Sequence, residues 1–203
     1  MVKMKFNVFD GQACLFYWHK DHRTVIVLLY VDDILITGNC EDKINETKRN
    51  LCRAFKMKDL GEPKRFLDIE ISRDRKNNVL KLTQTKFIDA MVEKFGLQNR
   101  PGSEIPMRTN RASRKTIRKR KFETSLNLNE KVPFREAVGA LLYCTNCTRP
   151  DIAYAVNLLA RKCSNHELDD WLDVEKVLKY LLETREIGTV SYTHLTLPTI
   201  YSV

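Results

Sequence analysis

The chain has 203 residues, of which 43% are hydrophobic and 30% charged. This composition excludes a wholly disordered or fibrous protein and leaves enough chain for one large or two small domains. No uncharged apolar run approaches the roughly 18 residues of a membrane span, and the first residues lack the apolar core of a signal peptide. We therefore expect an intracellular protein without a membrane segment, whose six cysteines are free thiols.

The net charge of +9 comes almost entirely from one segment. Residues 108–121 contain eight basic residues and no acidic residue, and the other 27 basic and 26 acidic residues nearly cancel. Such a run can bind a nucleic-acid phosphate backbone, although it lacks the aromatic residues needed to stack on bases. A nuclear localisation signal and a solvated linker are equally consistent with it. The candidate contacts are Arg114, Lys115, Arg118, Lys119, Arg120 and Lys121.

The first part of the chain is rich in predicted hairpins. Residues 5–17 contain two short apolar segments around Asp10-Gly11, which is typical of a tight turn. The β-branched and aliphatic run at residues 24–31 predicts a strand buried on both faces. A further apolar segment at residues 34–36 predicts its partner, which places Asp32 and Asp33 at a hairpin tip. Neither aspartate readily supplies the positive φ of a tight turn.

Helices and a second hairpin follow. Apolar residues at helical spacing predict helices over residues 41–55 and 85–95, and Gly96 suits the C-terminal cap of the second. Between them, alternating residues 66–72 and the strand at residues 79–82 predict a hairpin that turns at two asparagines.

The last part of the chain is predicted to be helical. Residues 97–130 contain the basic run and no pattern typical of a helix or strand, so they are predicted to form a long linker. Apolar spacing then predicts three helices around residues 137–143, 152–159 and 172–181. Residues 189–203 lack charged residues altogether and resemble a translated cloning adaptor, although a terminal strand is the alternative.

Asp32 and Asp33 are candidate metal ligands. Adjacent like charges repel each other unless a cation lies between them. Mg²⁺ prefers carboxylate oxygens and completes its shell with water and substrate phosphates, so this pair is suited to phosphoryl-transfer chemistry. A solvated turn is the alternative interpretation of the two residues alone.

The residues around this pair resemble the polymerase box of reverse transcriptases, Tyr30-Val31-Asp32-Asp33. Five other segments are similar in order and spacing to the Ty1/copia class of retrotransposon polyproteins. The six segments are LLYVDDILITG (28–38), FKMKDLG (55–61), FLDIEI (66–71), VGALLY (138–143), TRPDI (148–152) and VLKYL (177–181).

The resemblance implies an α+β fold, a partial polymerase palm of antiparallel hairpins and helices followed by a helical thumb/connection-like region. It divides the chain into a palm at 1–100, a basic linker at 101–130 and the helical region at 131–188. The composition of residues 189–203 separately marks them as a non-native tail. The implied activity is RNA-directed DNA synthesis with Mg²⁺ or Mn²⁺, an RNA template, a DNA primer and deoxynucleoside triphosphates. Asp32 would be the principal metal ligand and Asp33 its partner, with Tyr30 and Val31 beside the primer terminus and the nucleotide.

The chain also departs from the family pattern. The family has a third catalytic carboxylate upstream of the box and an RNase H region downstream of VLKYL, and neither is recognisable here. Asp68 stands where the family usually has Gly, and we expect it at a solvent-facing strand position. These departures predict a fragment that is inactive alone. The resemblance itself implies an intracellular location, in a cytoplasmic particle or the nucleus.

A different class of function is suggested by cysteine spacing. Cys144, Cys147, Cys163 and His166 are spaced like the ligands of a zinc site. Together with the basic run, they suggest a non-catalytic nucleic-acid-binding remnant. The flanking patterns, however, place Cys144 and Cys147 in a short bend between two helices, without the small residues of a zinc knuckle.

Overall fold

The computed structural model describes residue 1, residues 4–107 and residues 132–192. The basic run at 108–121, with all six of its candidate contacts, lies outside these ranges. Within them the chain is α+β with antiparallel sheets, as predicted. It divides into two compact units, residues 1–66 and residues 67 onward. The domain boundaries inferred from the resemblance stay predictions.

The first unit contains a four-stranded antiparallel sheet in the order β1-β2-β3-β4, followed by one helix. Two-residue turns join its central strands, so chain neighbours are also sheet neighbours. The elements are β1 (Asn7–Phe9), β2 (Gln12–Lys20), β3 (Arg23–Tyr30), β4 (Asp33–Gly38), α1 (Glu41–Ala54) and the two-residue strand β5 (Arg65–Phe66).

One face of this sheet carries the core of the first unit. Val25 and Val27 of β3 are fully buried with Phe6 and Cys40, and Ile44 of α1 packs against them. The residues that alternate with these valines on the other face, Thr24, Ile26 and Leu28, are only half-buried. The prediction that β3 is buried on both faces is therefore wrong, because the described residues of this unit supply a helix for one face only.

The side chain of Asn39 stabilises the open end of the β3–β4 hairpin, where β3 begins and β4 ends. Its Oδ1 accepts a hydrogen bond from the Thr24 N–H at 2.6 Å, and its Nδ2 donates to the His22 carbonyl at 3.0 Å. His22 and Asp21 both have positive φ and form the two-residue turn before β3. A positive φ at both residues suits the twist of a hairpin. Sequence reasoning missed this role of Asn39.

The second unit contains the other sheet and four α-helices. Its strands β6, β7 and β8 are neighbours in that order and pair antiparallel. The elements are β6 (Ile69–Asp74), β7 (Val79–Thr83), α2 (Thr85–Lys94), α3 (Phe134–Cys147), a 3-10 turn (Pro150–Ile152), α4 (Ala153–Ala160), α5 (Leu168–Glu183) and β8 (Thr189–Tyr192).

The four helices share one apolar core, because each presents buried residues to the others. Ile88 of α2, Leu141 of α3, Val156 of α4 and Leu178 of α5 are all fully buried in it. Three helices after the linker were predicted and are confirmed. The start of α2 is capped from the sheet, since the carboxylate of Glu70 accepts the backbone N–H groups of the first two helical residues at 2.8 and 3.1 Å.

A turn interrupts the strand that was predicted over residues 66–72. Leu67 and Asp68 have φ of 51° and 58°, so the chain reverses here and β6 starts only at Ile69. The hydroxyl of Tyr143 donates a hydrogen bond to the Leu67 carbonyl and holds the turn against α3. The expectation of a strand position for Asp68 is therefore wrong. A left-handed φ explains why glycine suits this position.

Replacing Asp68 tests this interpretation of the turn. We expect Asp68→Gly to raise the free energy of unfolding by about 0.5–1 kcal/mol, because glycine adopts a positive φ without steric strain. Asp68→Ala should lower it by about 1 kcal/mol, since alanine carries a Cβ and adopts a positive φ less readily than aspartate or glycine. Urea unfolding of the three proteins measures the order. An alanine variant as stable as the glycine variant would contradict the assignment.

Arg149 is a fully buried residue at the start of the last helices. Its guanidinium donates to both carboxylate oxygens of Asp151, at 3.0 and 2.7 Å, and to the carbonyl and hydroxyl of Thr184. The Tyr180 hydroxyl donates to the same carboxylate at 2.9 Å. These bonds connect the 3-10 turn to the end of α5.

The Asp151 carboxyl should make the second unit sensitive to acid. Burial opposes its ionisation, but hydrogen bonds from Arg149 and Tyr180 outweigh burial and lower its pKa below the usual value. A lowered folded-state pKa contributes stability above the unfolded value of about 4, which is lost as the pH falls through the folded value. We expect the unfolding free energy of Asp151→Asn to fall less steeply below about pH 4 than that of the unchanged protein. Parallel slopes in urea titrations would contradict this role.

Candidate active site

The β3–β4 hairpin presents the carboxylates predicted to bind metal. The strands pair from Val25↔Gly38 to Tyr30↔Asp33, which leaves Val31 and Asp32 as the two-residue tip. The predicted tip of Asp32 and Asp33 is therefore displaced by one residue. Asp33 is instead the first residue of β4, paired with Tyr30.

The tip holds a residue type that rarely adopts its conformation. Val31 has a φ of 52° and is 81% exposed, whereas Asp32 is not among the residues with positive φ. A positive φ at the first turn position only is typical of a II′ hairpin turn, where glycine usually stands. For a β-branched residue this φ is strained, and such strain is often found at functional sites. The sequence predicted that this turn contains a residue poorly suited to positive φ. That residue is Val31 and not one of the two aspartates.

Close approach of the two strands fixes the base of this hairpin. A Cβ at Gly38 would overlap the carbonyl oxygen of Thr24 and lie 2.9 Å from the Cα of Val25. Both atoms belong to the backbone and cannot rotate away. Gly38 therefore lets β4 lie close enough to β3 to hold the register that brings Asp33 opposite Tyr30.

Both carboxylates are available to a ligand. Asp32 and Asp33 are exposed, and no hydrogen bond or ion pair joins either side chain to the rest of the described chain. Tyr30, 53% exposed, lies across the strand pair from Asp33, so the two side chains share a sheet face. Two free carboxylates beside open solvent suit Mg²⁺, which binds one or two protein carboxylates and keeps its remaining positions for water and phosphate.

The alternative zinc site does not assemble. Among the described residues, which include all four candidates, no group of three or more His, Cys, Asp or Glu side chains is arranged to hold a metal. Cys144 and Cys147 lie in the last turns of α3 and not in a bend. Cys144 is buried, and burial raises the pKa of its thiol to about 12, which disfavours the thiolate that binds zinc. The ring of His166 stacks on the ring of Phe134, with 4.5 Å between the two ring centroids, and does not join the three cysteines in a metal site.

None of the helices in the described part of the chain combines the length and apolar character that a membrane crossing requires.

Comparisons with known proteins agree with the motifs. The chain is 36% identical over 175 residues to a retrovirus-related Pol polyprotein from transposon TNT 1-94 of Nicotiana tabacum, covering 86% of the chain and 13% of that protein. It is 26% identical over 187 residues to a putative transposon Ty5-1 protein of Saccharomyces cerevisiae, covering 92% of the chain and 58% of the relative. An uncharacterized mitochondrial protein of Arabidopsis thaliana is 35% identical over 160 residues, which is 78% of the chain and 61% of that protein.

The chain thus spans between 13% and 61% of the length of these relatives. No solved structure matches it. Residues 1–109, which include the hairpin with Asp32 and Asp33, match the family described as reverse transcriptase (RNA-dependent DNA polymerase). Because this match covers more than half of the 203 residues, the chain belongs to the reverse transcriptase family.

Proposed function

We propose that this chain is the part of a Ty1/copia-type retrotransposon RNA-directed DNA polymerase that carries two of its metal-binding carboxylates. In this proposal the region up to about residue 100 belongs to the polymerase palm, and residues 131–188 form a thumb or connection-like region. The parent would act in a cytoplasmic particle or the nucleus. The observation that carries the proposal is a pair of adjacent, unpartnered carboxylates, one in the tip of a tight hairpin and one at the start of β4, beside exposed Tyr30.

Each residue from Tyr30 to Asp33 has a distinct role in this proposal. Asp32 and Asp33 would hold Mg²⁺ or Mn²⁺ and leave its other positions open to the triphosphate. The bound metal supplies charge stabilisation at the transferring phosphoryl group and lowers the pKa of the attacking hydroxyl. The ring of Tyr30, on the same face as Asp33, would border the primer terminus, and exposed Val31 would border the nucleotide.

Two carboxylates alone are a sparse ligand set for this chemistry. Two-metal sites need enough ligands to fix both ions on the attacking and leaving oxygens. No third acidic side chain joins Asp32 and Asp33 among the described residues. We therefore infer that the upstream polymerase region of the parent polyprotein supplies the rest of the site. RNA template, DNA primer and deoxynucleoside triphosphates are its proposed ligands, and an RNase H region would follow.

The second candidate is a nucleic-acid-binding remnant without catalysis, and the basic run at 108–121 favours it. Eight positive charges with no acidic residue among them would bind phosphates by releasing counterions, whatever the base sequence. Such binding depends steeply on salt and not on Asp32 or Asp33, which separates it from the polymerase proposal.

Nucleotide retention on a primer–template distinguishes the two candidates. The test uses an RNA template with a DNA primer, a matching deoxynucleotide, and the unchanged chain beside Asp32→Asn, with and without Mg²⁺. We expect no primer extension by this chain alone, but Mg²⁺-dependent nucleotide retention that falls at least about tenfold in the variant, since even indirect damage to a metal site has that effect. Nucleotide retention that depends on neither Mg²⁺ nor Asp32 would exclude the polymerase proposal and favour the non-catalytic nucleic-acid-binding remnant. Extension that is lost in the variant would contradict the inferred incompleteness.

A further inference from the structure

The outer edge of β7 is covered by β8, a strand of unusual composition. Residues 189–203 contain no charged side chain. Nevertheless Thr189–Tyr192 pairs antiparallel with β7 in an unbroken register, from Leu82↔Thr189 to Val79↔Tyr192. The side chains of β8 stay outside the apolar core of the second unit, since Val190 and Tyr192 remain 37% and 50% exposed and neither packs against that core. Main-chain hydrogen bonds therefore provide most of the pairing.

Position 188, just before β8, requires glycine. A Cβ at Gly188 would overlap the carbonyl oxygen of Leu82 and lie 2.8 Å from Cγ2 of Thr83. The chain thus needs glycine to approach β7 closely enough to pair. The hydroxyl of Thr189 lies 3.4 Å from the Thr148 carbonyl, which is long for a hydrogen bond between these groups.

We propose that the outer edge of β7 is a strand-acceptor site, which binds a short, extended, uncharged segment through its main chain with little regard to side chains. In this chain the occupant is residues 189–192. An uncovered strand edge presents a row of unpaired N–H and C=O groups that another strand can use. This explains how residues so unlike the rest of the chain complete its sheet. The inference uses contacts within the second unit only and does not rest on the polymerase proposal.

Hydrogen exchange of the β7 amides in the full chain tests whether β7 recognises the main chain of β8 or its side chains. Replacing exposed side chains by another strand-forming residue, Val190→Thr with Tyr192→Thr, should leave their protection within about twofold. A proline at position 190 and a proline at position 191 should have different effects on this protection, because only every second N–H of β8 points toward β7. The proline that removes an inward N–H should reduce protection about tenfold, and Gly188→Ala should do the same. Equal losses in the threonine and proline variants would overturn main-chain recognition.

Added peptides test whether the edge accepts a separate strand. The probe protein is the full chain with Val190→Pro and Ser191→Pro. One peptide has the sequence of residues 187–192, and the other is an unrelated, uncharged, strand-forming hexapeptide that keeps glycine at the position of Gly188, where a Cβ would overlap β7. We expect both to restore protection of the β7 amides. Restoration by neither, or by the native sequence alone, would overturn the proposal.

Discussion

Arg149→Ala should lower the free energy of unfolding of the second unit by about 2–4 kcal/mol, because it removes the donor of the partly exposed Asp151 carboxylate and of the Thr184 carbonyl. Arg149 is completely buried, whereas Asp151 keeps a side-chain exposure of 34%, so part of the carboxylate can still reach water. Arg149→Lys should lose less than the alanine variant, since a lysine keeps the charge without the two parallel hydrogen bonds.

Arg161→Ala is the matched control for this prediction. Arg161 is exposed at the end of α4, and such a substitution should change the free energy by no more than about 0.5 kcal/mol. The chain has two tryptophans, Trp18 against the core of the first unit and Trp171 in that of the second. Incorporated 5-fluorotryptophan therefore gives one ¹⁹F signal for each unit during urea unfolding. Arg149→Ala and Arg161→Ala of equal stability would contradict the structural role of Arg149.

Gly38→Ala should lower the stability of the first unit by about 1–3 kcal/mol or more, because the added methyl group meets backbone atoms of Thr24 and Val25. The strands can only separate, so the change should also disturb the pairing that sets Asp33 opposite Tyr30. The ¹⁹F signal of Trp18 and the amide spectrum of β4 report the two effects.

Gly139→Ala provides the opposite expectation. Gly139 lies within α3, and nothing is within 4 Å of a Cβ placed there. Alanine should therefore raise the stability of the second unit by about 0.5–1 kcal/mol, the difference between the two residues in a helix. A Gly38→Ala variant as stable as the unchanged protein would contradict the role of close strand approach in setting the register of the β3–β4 hairpin.

Local patterns predicted most of the elements correctly. Apolar residues at helical spacing gave α1 and α2 to within one or two residues, and Gly96, with a φ of 67°, ends the second as expected. The hairpins around Asp10-Gly11 and Asn77-Asn78 are also confirmed. These features depend on neighbours along the chain, which is why spacing and turn residues reveal them.

Features set by distant residues were missed. Leu67 and Asp68 look like part of an alternating strand, but both have positive φ and form a turn that Tyr143 of α3, 76 residues away, contacts. Arg149 gives no sequence signal of burial, because its partner Thr184 lies 35 residues away. The cysteine spacing suggested zinc because spacing alone does not record that Cys144 is buried inside a helical core.

The position of the candidate site was predictable, but its geometry was not. The acidic pair between two apolar strands identified the hairpin. A sequence cannot state, however, which two residues occupy the turn, since shifting the register by one residue exchanges the faces of every side chain. Tyr30 and Asp33 share a face only because they pair across the strands.

Paramagnetic broadening by Mn²⁺ tests the central claim, that Asp32 and Asp33 form a divalent-metal site. Trace Mn²⁺ should broaden the amide signals of residues 30–34 first, and excess Mg²⁺ should restore them, because both ions prefer carboxylate oxygens. Asp32→Asn with Asp33→Asn should abolish the effect. The matched control changes Glu41 and Asp42, an adjacent exposed acidic pair at the start of α1, and should leave it intact. Equal broadening at both acidic pairs, or broadening at the tip that survives loss of both aspartates, would contradict the account.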